Sequence, residues 1–187
     1  MKFEKFFKNY NRSIYDLLDN FDTNLIDEAV SLINNCKQKN GKVYIVGNGG
    51  SSSMASHVSV DFAKVAKVPS DTFNNANLIT CFANDYGYER WIEKALDFYA
   101  DVNDVLILIS SSGKSLNMIN ACKAAKNKKI SKIITFTGHN KDNPLSQLGD
   151  INFWIDSKAY NLIENAHQAL LLSLVDLIIG KSEYPPN

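Results

Sequence analysis

Residues 43–53 read VYIVGNGGSSS, and residues 105–115 read VLILISSSGKS. Each opens as a short aliphatic run of the kind that a strand buried on both faces requires. Each then breaks into a glycine–serine turn and continues into a stretch with helical spacing. A strand passing through a polar turn into a helix is half of a βαβ unit, so two of them indicate a parallel α/β sheet. Working outward, residues 132–137 (KIITFT) form a third candidate strand, ended by Gly138-His139-Asn140, and residues 151–155 a fourth. Residues 77–83 suit a strand or a short helix equally. Helical periodicity runs over 3–20 and 24–38, from about Met54, and over 91–99, 116–127 and 160–179.

The first two helices precede any strand. The stripe Phe3, Phe6, Phe7, Tyr10, Ile14, Leu17 and Leu18 has no sheet of its own to cover, so residues 1–40 read as a helical pair that caps the domain or forms an oligomer interface. Residues 41–187 then make the α/β core of a single domain.

Composition narrows the function classes. With 45% hydrophobic and 21% charged residues the chain is globular rather than disordered or fibrous. Lysine plus arginine equals aspartate plus glutamate at 20 each, which argues against nucleic acid as a partner. Three separated cysteines, Cys36, Cys81 and Cys122, fit neither a disulfide framework nor a zinc knuckle, and agree with a reducing cytoplasm. No uncharged apolar stretch approaches about 18 residues, so no membrane span or membrane partner is expected.

Ligands of parallel sheets bind beyond the carboxyl ends of the strands, where both turns lie. The first, Gly47-Asn48-Gly49-Gly50-Ser51-Ser52-Ser53, matches neither the dinucleotide nor the P-loop spacing, so no nucleotide cofactor is expected. It has the parts of an anion cradle, namely close-approaching backbone N–H groups, hydroxyls and a helix N-terminus, and equally those of a capped turn. The second, Ser110-Ser111-Ser112-Gly113-Lys114-Ser115, repeats the design. The pair implies a small phosphorylated ligand held between them.

GNGGS after a strand, NDYGYE at 84–89 and SSSGKS after VLILI together resemble the sugar isomerase (SIS) domain family, in its phosphoheptose isomerase branch. The resemblance runs over nearly the whole chain. It implies a five-stranded parallel sheet between helices, a flavodoxin-like three-layer sandwich, and a homotetramer with sites at subunit interfaces. It implies zinc-supported interconversion of sedoheptulose 7-phosphate and a manno-heptose 7-phosphate that feeds surface polysaccharide. By position, Ser110, Ser111, Ser112 and Ser115 hold the phosphate. Asn48, Gly49, Gly50 and Ser51 bind near the sugar end, and Asp85 contacts sugar hydroxyls.

The chain departs from the family at the reacting end. The family's His and Glu four residues apart are here His57 and Asp61, which keeps one helix face but shortens the carboxylate by a methylene. An aspartate earlier on that helix is Met54. On the terminal helix the family's Gln is Glu164, its first His is His167, and its second His is Leu172. The implied Zn²⁺ ligand set becomes His57, Asp61 and Glu164, with an open position. Aldose–ketose isomerisation needs a base beside the carbonyl carbon and an acid for the developing oxyanion. Asp61 is the candidate base, and Glu164 and His167 are the candidate acids. The competing expectation is a non-catalytic relative. One branch of the family lacks the terminal His and binds a replication initiator; another alternative only senses a sugar phosphate.

Overall fold

The aliphatic runs alternate their side chains between two faces of one sheet, and each face carries its own helical layer. The structure is a computed structural model that describes residues 2–130 and 132–185. In chain order it has α1 (Lys2–Asp19), α2 (Thr23–Gln38), β1 (Val43–Gly47), α3 (Gly50–Lys64), β2 (Ser70–Asp71), α4 (Ala76–Tyr86) and α5 (Trp91–Tyr99). Then follow β3 (Val105–Ser110), α6 (Leu116–Asn127), β4 (Lys132–Thr137), β5 (Ile151–Trp154) and α7 (Tyr160–Ile179).

The five strands are all parallel, in the order β2-β1-β3-β4-β5. Val43, Ile45, Ile107, Ile109, Ile134 and Phe136 point to the layer of α2, α3 and α7, where they meet Ile33, Val58, Phe62, Ile163 and Leu171. Tyr44, Val46, Leu106, Leu108 and Ile133 point to the other layer, where they meet Ile92 and Leu96 of α5 and Met118 and Cys122 of α6. The expected three-layer α/β architecture is the one observed.

Three local expectations change. Residues 77–83 are helical, inside α4, because Asn75 caps that helix by accepting from the N–H groups of Asn77 and Leu78. The fifth strand is the two-residue β2, too short for any periodicity to reveal. Helix α3 starts at Gly50 rather than near Met54, so the serines of the first turn lie within its first turns.

Helix α7 is long and apolar enough to cross a membrane by length and composition. Its apolar side is instead packed on the sheet through Ile163, Ala166, Leu170, Leu171, Leu174 and Val175. Helix α1 buries no residue fully, and Phe3, Phe6, Phe7 and Tyr15 stay exposed on it. Its inner contacts are with α7, including Asn165 donating to the Tyr10 hydroxyl at 3.1 Å.

Candidate functional site

Both glycine–serine turns stand at the carboxyl ends of neighbouring strands, β1 and β3. The second is the more completely built. Gly113 sits at φ +65°, and a Cβ there would overlap the buried side chain of Asn143, so only glycine fits. Asn143 donates to the Asn140 carbonyl at 2.9 Å and accepts from the Ser146 N–H at 2.9 Å. The Leu145 N–H binds the Gly113 carbonyl, and the Gly138 N–H binds that of Ser111. The β4–β5 connection thus clamps the turn in place. Ser110 donates to Ser115 at 3.2 Å, and Ser115 makes no side-chain cap on α6. The α6 N-terminus is therefore open to an anion, with the Ser112 hydroxyl only half-buried beside it.

The first turn behaves differently. Gly49 takes φ +56°, and Ser51 is buried against Gly47. A Cβ at Gly50 would come within 2.7 Å of Glu164 Oε2, which puts the Glu164 carboxylate directly over the first residue of α3. A carboxylate there complements the helix dipole by about 0.3–1 kcal/mol. It also repels a second anion, so the first turn is the poorer of the two as an anion cradle.

Asn48 faces the gap between the turns. Its amide pairs reciprocally with buried Asn117 at 3.0 and 2.9 Å, and its Oδ1 also accepts from the Tyr88 hydroxyl at 3.2 Å. Tyr88 thereby brings the NDYGYE segment to the GNGGS turn. Asp85 is exposed at the end of α4 and accepts from Asn84 at 2.9 Å. Asn117, Asn143 and Tyr88 were not identified by sequence reasoning. An isolated asparagine carries no spacing signal; Tyr88 lies inside the NDYGYE motif, two residues after Tyr86, where nothing in the residue type separates it from its neighbour.

The reacting-end residues are placed in three separate ways. His57 and Asp61 meet as expected, Nε2 to Oδ2 at 3.3 Å, one turn apart on α3. Gln168 of α7 stands 3.5 Å from His57 Nδ1, another contact without a sequence signal. Glu164 is elsewhere: Gly50 precedes His57 by two turns, about 10 Å along the helix. The expected ligand set His57, Asp61 and Glu164 does not converge, and no group of three His, Cys, Asp or Glu able to hold a metal ion is found among the described residues. The residues present do not fit the implied zinc site within one protomer.

His167 is the clearest correction. It was a candidate acid, but it is fully buried, with its ring edge-on to Phe136. Its Nε2 donates to the Thr137 carbonyl at 3.0 Å, and Nδ1 has no partner. Burial pushes its pKa down to about 4, against the smaller opposing effect of the Thr137 carbonyl. At neutral pH it is an uncharged core residue whose one N–H is held by Thr137. Leu172 is partly buried and packs against the same core.

A cavity of about 900 Å³ lies at the β5 edge between α1 and residues 141–157. Of the site residues above only Ser146, part of the clamp, lines it.

The SIS domain model matches residues 5–138. A phosphoheptose isomerase of Buchnera aphidicola subsp. Acyrthosiphon pisum (strain Tuc7) is 32% identical over 162 residues, 83% of this chain and 82% of that protein. One from Syntrophotalea carbinolica is 28% identical over 180 residues, 91% of each chain. The structure of phosphoheptose isomerase GmhA from Neisseria gonorrhoeae superposes with a TM-score of 0.85 over 95% of this chain and 97% of that one. Its sequence identity is 24%, so this likeness is one of fold.

Proposed function

The chain belongs to the SIS domain family alongside the phosphoheptose isomerases, and from that premise we propose that it is a sugar-phosphate aldose–ketose isomerase. The substrate pair we propose is sedoheptulose 7-phosphate and a manno-heptose 7-phosphate, made in the cytoplasm for surface polysaccharide. The observation that carries this reading is the preformed turn at Ser110–Ser115, clamped by Asn143 and open at the α6 N-terminus. Backbone N–H groups and the hydroxyls of Ser112 and Ser115 hold a phosphate there. Asn48, fixed by Asn117 and Tyr88, orients sugar hydroxyls.

Isomerisation removes a proton from the carbon beside the carbonyl and returns it one carbon over. Asp61 is the base. His57, with Nε2 against it at 3.3 Å and Nδ1 facing the Gln168 amide, orients the carboxylate. Asp61 lies eleven residues along α3 from Gly50, about 16 Å from the turn end of that helix. Asp61 thus stands at the end of α3 away from the turns, and on this reading one protomer holds the phosphate and the base apart. We propose that α3 and α7 of one copy complete the serine turn of another in a homotetramer, with the exposed Phe3, Phe6 and Phe7 in the contact.

The test mixes two defective chains. Asp61→Asn and Ser112→Ala each abolish or greatly weaken turnover alone. Co-refolded, they regain a measurable share of it, because some sites take an intact base from one copy and an intact turn from the other. No recovery on mixing would place the whole site in one copy. Leu172 and the unconverged metal set favour a second reading, a sugar-phosphate binding protein without turnover. Ligand binding with no activity in the unmutated protein at any metal level would select it.

A further inference from the structure

The end of α3 that carries Asp61 also carries a group of lysines to which the isomerase reading gives no role. A cavity of about 410 Å³ lies between the end of α3 and the segment after α7. It is within the 300–1,000 Å³ range of small-ligand sites. Its walls include Lys64, Lys67, Lys181, Asp61, Tyr184 and Ile179. The three lysines are exposed, and none makes an ion pair among the described residues. Three ammonium groups against one carboxylate leave a formal surplus of two positive charges in one small concavity.

The placement of Lys67 adds to this. It sits at φ +55°, uncommon for a residue with a side chain. The turn holds it there through the Ala66 N–H on the Asp61 carbonyl and the Val68 N–H on the Phe62 carbonyl. Unpaired like charges gathered in one concavity raise the local concentration of a counter-ion. A phosphate ester or diphosphate carries about two negative charges or more at neutral pH and presents several acceptor oxygens, which matches three lysine donors. Tyr184 and Ile179 supply an apolar wall for the rest of such a molecule.

We propose that this cavity is a second anion site, separate from the serine turns, that takes a small phosphorylated metabolite. It needs only the cavity and its lysines, so it stands or falls independently of the isomerase reading. Only the effect on turnover rests on the isomerase reading: there Asp61, one of the walls, is the base, so an anion held here bears on it.

The experiment titrates inorganic diphosphate into the full chain by calorimetry and amide NMR at about 150 mM salt. Three proteins are compared: unmutated, Lys64→Gln/Lys67→Gln/Lys181→Gln, and Ser112→Ala. All three lysines are on the surface, so matching thermal unfolding establishes that the triple variant is folded. The expected result is at least tenfold weaker binding in the triple variant. Binding in Ser112→Ala should persist, with amide shifts at Lys67, Lys181 and Tyr184. Equal affinity in the triple variant would overturn the proposal, as would binding lost only in Ser112→Ala. Lysine-dependent binding of a duplex oligonucleotide in the absence of diphosphate binding would also overturn it, in favour of a polymer surface.

Discussion

Replacing His167 by glutamine separates a core role from a catalytic one. The buried imidazole is neutral, with Nε2–H on the Thr137 carbonyl and Nδ1 facing no acceptor. Protonating it in place would bury a charge and an unmatched donor. In the unfolded chain the same ring takes up a proton below about 6.5, whereas in the folded chain it does so only near 4. The folded state therefore binds fewer protons between these values. This contribution to stability is complete above pH 6.5 and is lost progressively as the pH falls towards 4. The drop corresponds to about 3 kcal/mol. His167→Gln keeps an N–H for Thr137 but cannot titrate. Urea unfolding at a series of pH values from 7.5 to 4 should show the unmutated protein losing about 3 kcal/mol more than the variant. At neutral pH the variant should lose about 1–2 kcal/mol through imperfect packing, and turnover should stay within a few-fold. Parallel pH–stability curves would refute the buried-neutral assignment. Collapse of turnover at unchanged stability would return His167 to the reacting centre.

Gly113→Ala should cost about 3 kcal/mol in urea unfolding, from the left-handed backbone and from the displaced Asn143 bonds, and should weaken sugar-phosphate binding by calorimetry; an unchanged midpoint would mean the turn is not clamped as described. Asn117→Leu removes the partner of Asn48 and should destabilise by about 1–3 kcal/mol while raising KM more than it lowers kcat, which steady-state kinetics would show. Gly50→Ala should push the Glu164 carboxylate off the α3 N-terminus at a cost of about 1 kcal/mol; if the combined Gly50→Ala/Glu164→Gln variant showed fully additive losses, the two would not be in contact.

The sheet was legible because its strands are buried on both faces. VYIV, VLILI and KIITFT are aliphatic runs that little else explains, and their polar exits mark the ligand edge. Strand β2 was not legible, since two residues paired to β1 at Val43 and Tyr44 leave no pattern. Nor was the helical state of residues 77–83 decided, since Leu78, Ile79, Phe82 and Ala83 are too short a run to separate helix from strand without the Asn75 cap. At the site, the serine turn was readable from its residue types, but its rigidity comes from Asn143, 30 residues further on, through tertiary contact alone. The i,i+4 pair His57 and Asp61 was readable from helical spacing. The fate of Glu164 and His167 was not. Their spacing on α7 is clear, but that Glu164 faces the start of α3 and His167 faces β4 depends on how α7 lies across them.

In the proposed isomerisation Asp61 removes a proton from a sugar phosphate anchored at Ser110–Ser115. The most direct test follows sedoheptulose 7-phosphate in D₂O by proton NMR, with the unmutated protein and with Asp61→Asn. Aldose signals and deuterium at the exchanging carbon are expected with the unmutated protein, and neither with Asp61→Asn, although that variant still binds the ligand. Exchange at equal rates in both proteins would contradict it.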